Sequence, residues 1–331
     1  MNQNLKVLVV RKDRLGDLLM TLPSLVLIRE SFPSAHIDFN CAIEFHDLLT
    51  PFCRLWNIKL VEKPQSKYDG ALFLQGKAKD VWDLLRLKIP IRVGGYSKWF
   101  SFFWLNVGIR QKRSSNGKNE AESNLELAQV LVQRLGGEGR VDKSSYELPV
   151  SEQAKRVAVV NWTQLGFQQD EKVAVFHPGM RGSALNVSLD SYLGLIEKVE
   201  EAGFTVALSV GPEPRDIDLK EKMLIKRPGL KVISGLKLPE LAEFFRLCNL
   251  VIAPSTGPLH LASWVGTQTV GLFSPVKSQH PNRWAPWGGA KPSQVLLPQV
   301  DCPADRDCLG EKCRYFNCMV KTDWKNLLLL R

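Results

Sequence analysis

Apolar positions along this chain fall into short continuous runs, separated by longer stretches in which they recur every three or four residues. Lys6–Val10, Ile37–Asn40, Ala71–Leu74, Val173–Phe176, Val206–Val210, Val232–Ile233, Leu250–Ala253 and Thr269–Phe273 read as strands. Leu18–Glu30, Asp80–Lys88, Ala121–Leu135, Leu189–Ala202 and Leu238–Leu247 carry helical spacing. Strands that are apolar throughout, alternating with amphipathic helices, predict parallel sheets built from βαβ units and covered on both faces. The alternation restarts near residue 172, after a helix-like stretch over Ser151–Leu165. The expected fold is α/β, with two Rossmann-like domains over 1–165 and 166–331. Ligands are expected at the carboxyl ends of the strands, in a cleft between the two sheets.

Composition narrows the class without changing it. The 331 residues exceed a single typical core, and 44% hydrophobic with 24% charged residues are ordinary globular values. No apolar run approaches the roughly 18 residues of a membrane span. Leu5–Val10 is short and is followed by Arg11-Lys-Asp-Arg14 in place of a cleavage site, so a soluble cytoplasmic protein is expected. The formal net charge of +10 points to anionic partners: nucleotides, phosphorylated lipids, nucleic acid or an anionic membrane face. Nucleic acid ranks low because no reading motif accompanies the charge.

Candidate chemistry concentrates in loops that follow predicted strands. The run APSTGPLHLA, Ala253 to Ala262, joins a strand to a helix through Ser255, Thr256 and Gly257, with Pro258 where the helix begins. First-turn amides of a helix lack internal partners and carry partial positive charge, and a glycine lets a ligand approach the backbone. The combination describes a phosphate cradle, or else an ordinary capped turn. His260 lies in the first turn, as a ligand contact or as helix packing. Three further polar loops occupy the same position: Arg11–Asp17, His177–Ser183 and Gly211–Glu213. Together they fit a nucleotide diphosphate on the second domain and an acidic residue on the first. No GxGxxG opens the first βαβ unit, and GxxxxGK[ST] and HExxH do not occur, which argues against dehydrogenase, Walker-type ATPase and zinc protease chemistry.

RLGDLLMTLPSL (14–25), HPGMRGSALN (177–186) and APSTGPLHLASWVGTQTVGLF (253–273) resemble the signature segments of the bacterial lipopolysaccharide heptosyltransferases, glycosyltransferase family 9. The order is right over nearly the whole chain, and the third segment is the most specific. The resemblance implies a GT-B fold and inverting, metal-independent sugar transfer with no cofactor. It implies ADP-heptose as donor and the Kdo or heptose end of the lipopolysaccharide inner core as acceptor. It makes Asp17 the general base, with Asp13 as fallback; the alternative for Asp17 is a first-turn acid that only stabilises a helix start. It puts the donor against His177, Gly179, Arg181, Ser183, Gly211, Glu213, Ser255, Thr256, Gly257 and His260. Arg181 is suited to leaving-group charge, whereas His177 reads as a satisfied strand-end histidine. Many members have Asp at the position of Ser255 and a Lys-Asn-Trp run at Leu185-Asn-Val187. These departures allow another nucleotide sugar, a relocated cation such as Arg181 or Lys277, or a degenerate homologue that only binds nucleotide or lipid. A non-hydrolysing nucleotide-sugar epimerase is a rival with the same two-domain fold.

On the acceptor side, Arg14 and the basic run Arg110, Lys112, Arg113 and Lys118 are candidates for acceptor phosphates and carboxylates. An aromatic stretch, Trp99–Leu105, lies just before that run. It reads as a buried crossover helix or as an edge resting on the anionic inner face of the inner membrane. Seven cysteines divide into Cys41, Cys53 and Cys248, in core-like segments, and a tail cluster of Cys302, Cys308, Cys313 and Cys318. The tail spacing lacks a CxxC pair, so it is expected to be structural with metal left open. Thr322–Leu330 reads as a terminal helix.

Overall fold

The computed structural model describes residues 5–65, 67–96, 99–113, 117–139, 147–180, 182, 184–291, 293–322 and 327. The chain divides into two compact units, Met1–Ser144 and Ser145–Arg331. The first unit holds strands β1 (Lys6–Arg11), β2 (His36–Asn40), β3 (Ile58–Leu60), β4 (Gly70–Gln75), β5 (Ile91–Gly95) and β6 (Val107–Ile109). Its helices are α1 (Leu15–Leu19), α2 (Leu22–Ser31), α3 (His46–Leu55), α4 (Ala78–Arg86), α5 (Trp99–Trp104) and α6 (Glu120–Arg134). The strands form one parallel sheet in the order β3-β2-β1-β4-β5-β6. Val7 to Val10 of β1 are fully buried because strands pair on both sides of it and helices cover both faces.

The second unit repeats the plan. Its strands are β7 (Val173–Phe176), β8 (Thr205–Ser209), β9 (Lys231–Ile233), β10 (Leu250–Pro254), β11 (Gln268–Leu272) and β12 (Ser293–Leu296). They form a second parallel sheet, β12-β11-β10-β7-β8-β9. The helices are α7 (Glu152–Gln164), α8 (Leu189–Glu201), α9 (Pro214–Lys226), α10 (Leu238–Leu247), α11 (Gly257–Trp264) and α12 (Pro281–Trp284). Numbered within its own unit, each sheet has the order 3-2-1-4-5-6. In such sheets the connections turn to opposite faces on either side of the first strand. A crevice therefore opens at the carboxyl ends of strands one and four. Those ends carry the residues after Arg11 and Gln75 in one unit, and after Phe176 and Pro254 in the other.

Two expectations are corrected. The boundary lies at 144/145 instead of 165/166, because α7 packs on the second unit: Trp162 meets Phe244 of α10 at 5.6 Å between ring centroids, and Phe167 joins both rings. The helix expected over Leu18–Glu30 is two helices, broken at Met20–Thr21, where the Thr21 hydroxyl donates to the Asp17 carbonyl at 3.1 Å. The terminal helix expected over Thr322–Leu330 lies, apart from Thr322 and Leu327, outside the described residues. No helix among those described is long and apolar enough to cross a membrane.

Candidate active site

In the first unit a buried arginine organises the crevice. The β1–β4 register slips between Val10 and Arg11, so the last residue of β1 is re-aimed just where the strand ends. Arg11, 2% exposed, donates from Nε to Asp13 Oδ1 at 2.7 Å and from an Nη to Asp17 Oδ1 at 2.6 Å. A third carboxylate, Glu120 of α6, stands 3.6 Å away, and Asn124 accepts from the same guanidinium at 3.3 Å. Burial alone would push Arg11 down; Asp17, Asp13 and Glu120 outweigh it and hold the guanidinium protonated. For Asp13 burial prevails over its attraction to Arg11 and raises the carboxyl above its ordinary range. Asp17, in the first turn of α1, and Asp13 each retain about a fifth of their side-chain exposure. Two oriented carboxylates at a strand-one crevice form a site able to take a proton from a bound hydroxyl.

Part of the expected basic run is drawn into this cluster. Arg113 pairs with Glu120, and donates to Asn124 at 3.1 Å and Gln111 at 3.0 Å. Lys118 pairs with Glu126. Arg14, Arg110 and Lys112 are exposed. Arg113 is thus a half-buried partner of the carboxylate cluster, a role its place in a run of charges gave no reason to expect. Glu120 and Asn124 were likewise missed, because α6 reads from its spacing as an ordinary amphipathic helix.

In the second unit the loops after β7, β8 and β10 meet the same edge of the sheet. Pro258 starts α11, where its missing N–H costs nothing. Thr256 at the N-cap has extended backbone and makes no side-chain capping bond, in contrast to Ser188, whose hydroxyl caps α8. Helix α9 has the same arrangement, with Glu213 at the N-cap, Pro214 next and no side-chain cap. Asn186 fixes the loop after β7: its Nδ2 donates to the Pro178 carbonyl at 2.8 Å, and its Oδ1 accepts from the Tyr192 hydroxyl at 2.8 Å. A Cβ on Gly179 would stand 2.5 Å from Asp216 Oδ1, and one on Gly211 2.3 Å from Asp216 Oδ2. Both glycines therefore let the Asp216 carboxylate lie between two loops. Asp216 went unnoticed in the sequence because it falls one turn past the Gly211–Glu213 motif.

The two histidines of this edge are interior groups. His177 bonds through Nδ1 to the Ser209 hydroxyl at 3.1 Å, and burial pushes it down to about 4. His260 is also pushed down to about 4 by burial, and its Nδ1 has no hydrogen-bond partner. Both are neutral at pH 7. His260 is buried within the first turn of α11. Ser255, Thr256 and Gly257 are half-buried at the crevice. Arg181 and Ser183 lie outside the described residues. Lys277 pairs with Asp305 at 2.7 Å on an exposed surface.

Among the described residues no group of three or more His, Cys, Asp or Glu is arranged to hold a metal ion. The tail cysteines are unbridged thiols, and Cys318 and Met319 pack into the core of the second unit, so the tail is held by apolar burial. Cys41 and Cys53 are buried, and burial pushes each thiol up to about 12. Cys248 is buried as well.

A family model described as glycosyltransferase family 9 (heptosyltransferase) matches residues 59–311, well over half of the chain. The chain belongs to glycosyltransferase family 9. A Haemophilus influenzae relative named "Putative glycosyltransferase" is 27% identical over 301 residues, 85% of this chain and 86% of its own. A family 9 glycosyl transferase from Veillonella parvula has a similar fold, with a TM-score of 0.73 at 18% identity, covering 89% of this chain and 87% of that one. The E. coli ADP-heptose lipopolysaccharide heptosyltransferase II superposes with a TM-score of 0.67 at 20% identity, over 89% and 92% of the two chains. This family 9 member is a glycosyltransferase of GT-B fold, as the three signature segments implied.

Proposed function

We propose that this glycosyltransferase transfers heptose from ADP-heptose to the lipopolysaccharide inner core, at the cytoplasmic face of the inner membrane, by inversion and without a metal. The observation that carries the reading is the edge of the second sheet: two helix starts without side-chain caps, α9 and α11, beside glycine-bearing loops. Amides at such starts favour a diphosphate. The Asp216 carboxylate suits the vicinal hydroxyls of a ribose, which an acidic side chain accepts in other doubly wound folds.

On this reading the acceptor hydroxyl loses its proton to Asp17, held in place by Arg11. The acceptor oxygen forms a bond to the anomeric carbon as the bond from that carbon to the diphosphate oxygen breaks on the opposite face. ADP leaves with the electron pair, its charge met by the α11 amides and Arg181. The acceptor contacts are Arg14, Arg110 and Lys112.

Ser255 and Leu185 favour a second reading, in which the transferase takes another nucleotide sugar. Each stands where many members have a charged residue, and Lys277, a possible replacement cation, is engaged by Asp305. A thermal-shift panel of ADP, UDP, GDP and CMP separates the readings. A nucleotide at 100 times its Kd adds about 2.7 kcal/mol, several degrees in Tm. Selective stabilisation by ADP, followed by acceptor-dependent release of ADP from ADP-heptose, is the expected result. Selectivity for UDP or GDP overturns the donor, and donor turnover without acceptor would favour an epimerase.

A further inference from the structure

The charge of this protein is concentrated in one segment. Between Lys77 and Lys118 there are ten Lys and Arg against two Asp, so the segment supplies eight of the ten net positive charges. The same segment holds seven aromatic residues, six of them between Tyr96 and Trp104. The fold brings these two properties to one surface. Helix α4 buries Val81 and Leu84 and turns Lys79, Trp82 and Arg86 outward, at positions one helical face apart. Trp82 meets Trp104 of α5 edge-on at 5.7 Å. Phe102 stacks on Tyr96 at 4.7 Å and lies under the Arg110 guanidinium, 5.9 Å from the ring centre. Arg92 secures α5 by donating to the Trp104 carbonyl at 2.7 Å. Phe103 is 76% exposed, Trp82 52% and Phe102 48%.

We infer that the outer faces of α4 and α5 form a docking surface for an anionic phospholipid bilayer. The aromatic rings insert at the headgroup level, while Lys79, Arg86, Lys88 and Arg110, all exposed, meet lipid phosphates. Exposed Trp and Phe within a ring of Lys and Arg match the interfacial region of a membrane, where one end of each side chain is apolar and the other hydrated. Among the described residues no ion pair engages Lys79, Lys88 or Arg110, and Arg86 stands 3.8 Å from Asp83 of its own helix, whereas Arg113 and Lys118 pair with Glu120 and Glu126. A buried crossover helix, the alternative reading of the aromatic stretch, does not hold for Phe102 and Phe103. The inference deepens the proposed action on a lipid-borne acceptor but rests on the surface itself, and it is tested without substrate.

The experiment is flotation of the full chain with vesicles of phosphatidylcholine alone or with 30% phosphatidylglycerol, at 50 and 300 mM NaCl. The wild type should float with the anionic vesicles at low salt and be released at high salt. Lys79→Gln/Arg86→Gln/Lys88→Gln should weaken the partition about 100-fold. Trp82→Ser/Phe103→Ser, with every charge retained, should weaken it at least about tenfold. Absence of flotation by the wild type overturns the inference, as does undiminished flotation of the aromatic variant, which would mean adsorption by charge alone. Circular dichroism and ADP stabilisation of the same samples check the fold. A wild type that binds ADP but does not float sinks the surface and spares the donor site; a wild type that floats but does not bind ADP does the reverse.

Discussion

The contact of Gly211 with Asp216 gives the most exacting test of the proposed donor site. Replacing Gly211 by Ala puts a Cβ 2.3 Å from Asp216 Oδ2 and 3.4 Å from its Cγ. An ordinary carbon–oxygen contact needs about 3.3 Å, so the carboxylate must retreat by about an ångström. Gly211 lies outside the left-handed region, and alanine there adds no backbone strain. Its effect on folding should stay within about 1 kcal/mol, since a smaller unfolded ensemble offsets part of the crowding. Nucleotide affinity should suffer far more. A hydrogen bond to a charged group contributes about 1.5–3 kcal/mol, so losing one from the ribose weakens ADP binding about 10- to 100-fold. Isothermal titration of ADP into wild type, Gly211→Ala, Asp216→Ala and the double variant reads this directly. If the glycine acts through the carboxylate, the double variant binds as Asp216→Ala does, within about twofold. Additive losses, or wild-type affinity in Gly211→Ala, would refute the reasoning.

Asp17→Asn should lower acceptor-dependent turnover by about 10²–10⁴ while leaving ADP affinity unchanged, with Asp13→Asn milder; a fully active Asp17→Asn variant sinks the base assignment. Arg11→Met strands Asp13, Asp17 and Glu120 without their shared cation and should cost about 3–5 kcal/mol, read by calorimetry as a drop of about 10 °C in the first unit's transition. An unchanged transition would mean that the cluster contributes no stability. His177 and His260 have folded pKa values of about 4, below the unfolded value, so the unfolded chain takes up their protons first. Their contribution is complete above pH 6.5 and is lost as pH falls from there toward 4, by roughly 3 kcal/mol each. NMR should show neither ring titrating between pH 5.5 and 8, and a midpoint near 6.5 for either one contradicts its burial.

The long buried elements were legible because period and burial agree in them. Val173–Phe176 and Leu238–Leu247 run as the apolar pattern indicates, and the other recognised strands differ by a residue or so at each end. Of the strands that escaped notice, β3, β6 and β12 are short and lie at the edges of their sheets, whereas β5 runs between β4 and β6. Ile58-Lys-Leu60 and Val107-Gly-Ile109 are too brief to show a period, and the two glycines of β5 erase it. Their pairing depends on neighbours distant in sequence, which local pattern does not report. At the site, motif reading located the loops but not what they touch. Asp17 was singled out through the family resemblance of its Gly-Asp pair, whereas the network of Arg11, Glu120, Asn124 and Arg113 forms only once α6 packs on α2, β4 and β5. Buried ion networks draw on segments over a hundred residues apart, and nothing in their local sequence distinguishes them from surface charge.

Because each half of the chain repeats the strand order 3-2-1-4-5-6, each possesses its own crevice at its own switch point. On the proposed assignment, donor and acceptor recognition are separate modules. Substitutions after β7, β8 and β10 can retune the sugar nucleotide without disturbing the carboxylates after β1, and chimeras joined near Ser144 should exchange one specificity at a time. On that assignment, a family built this way can explore new pairings of donor and acceptor by recombination, with no need to evolve a whole catalyst anew.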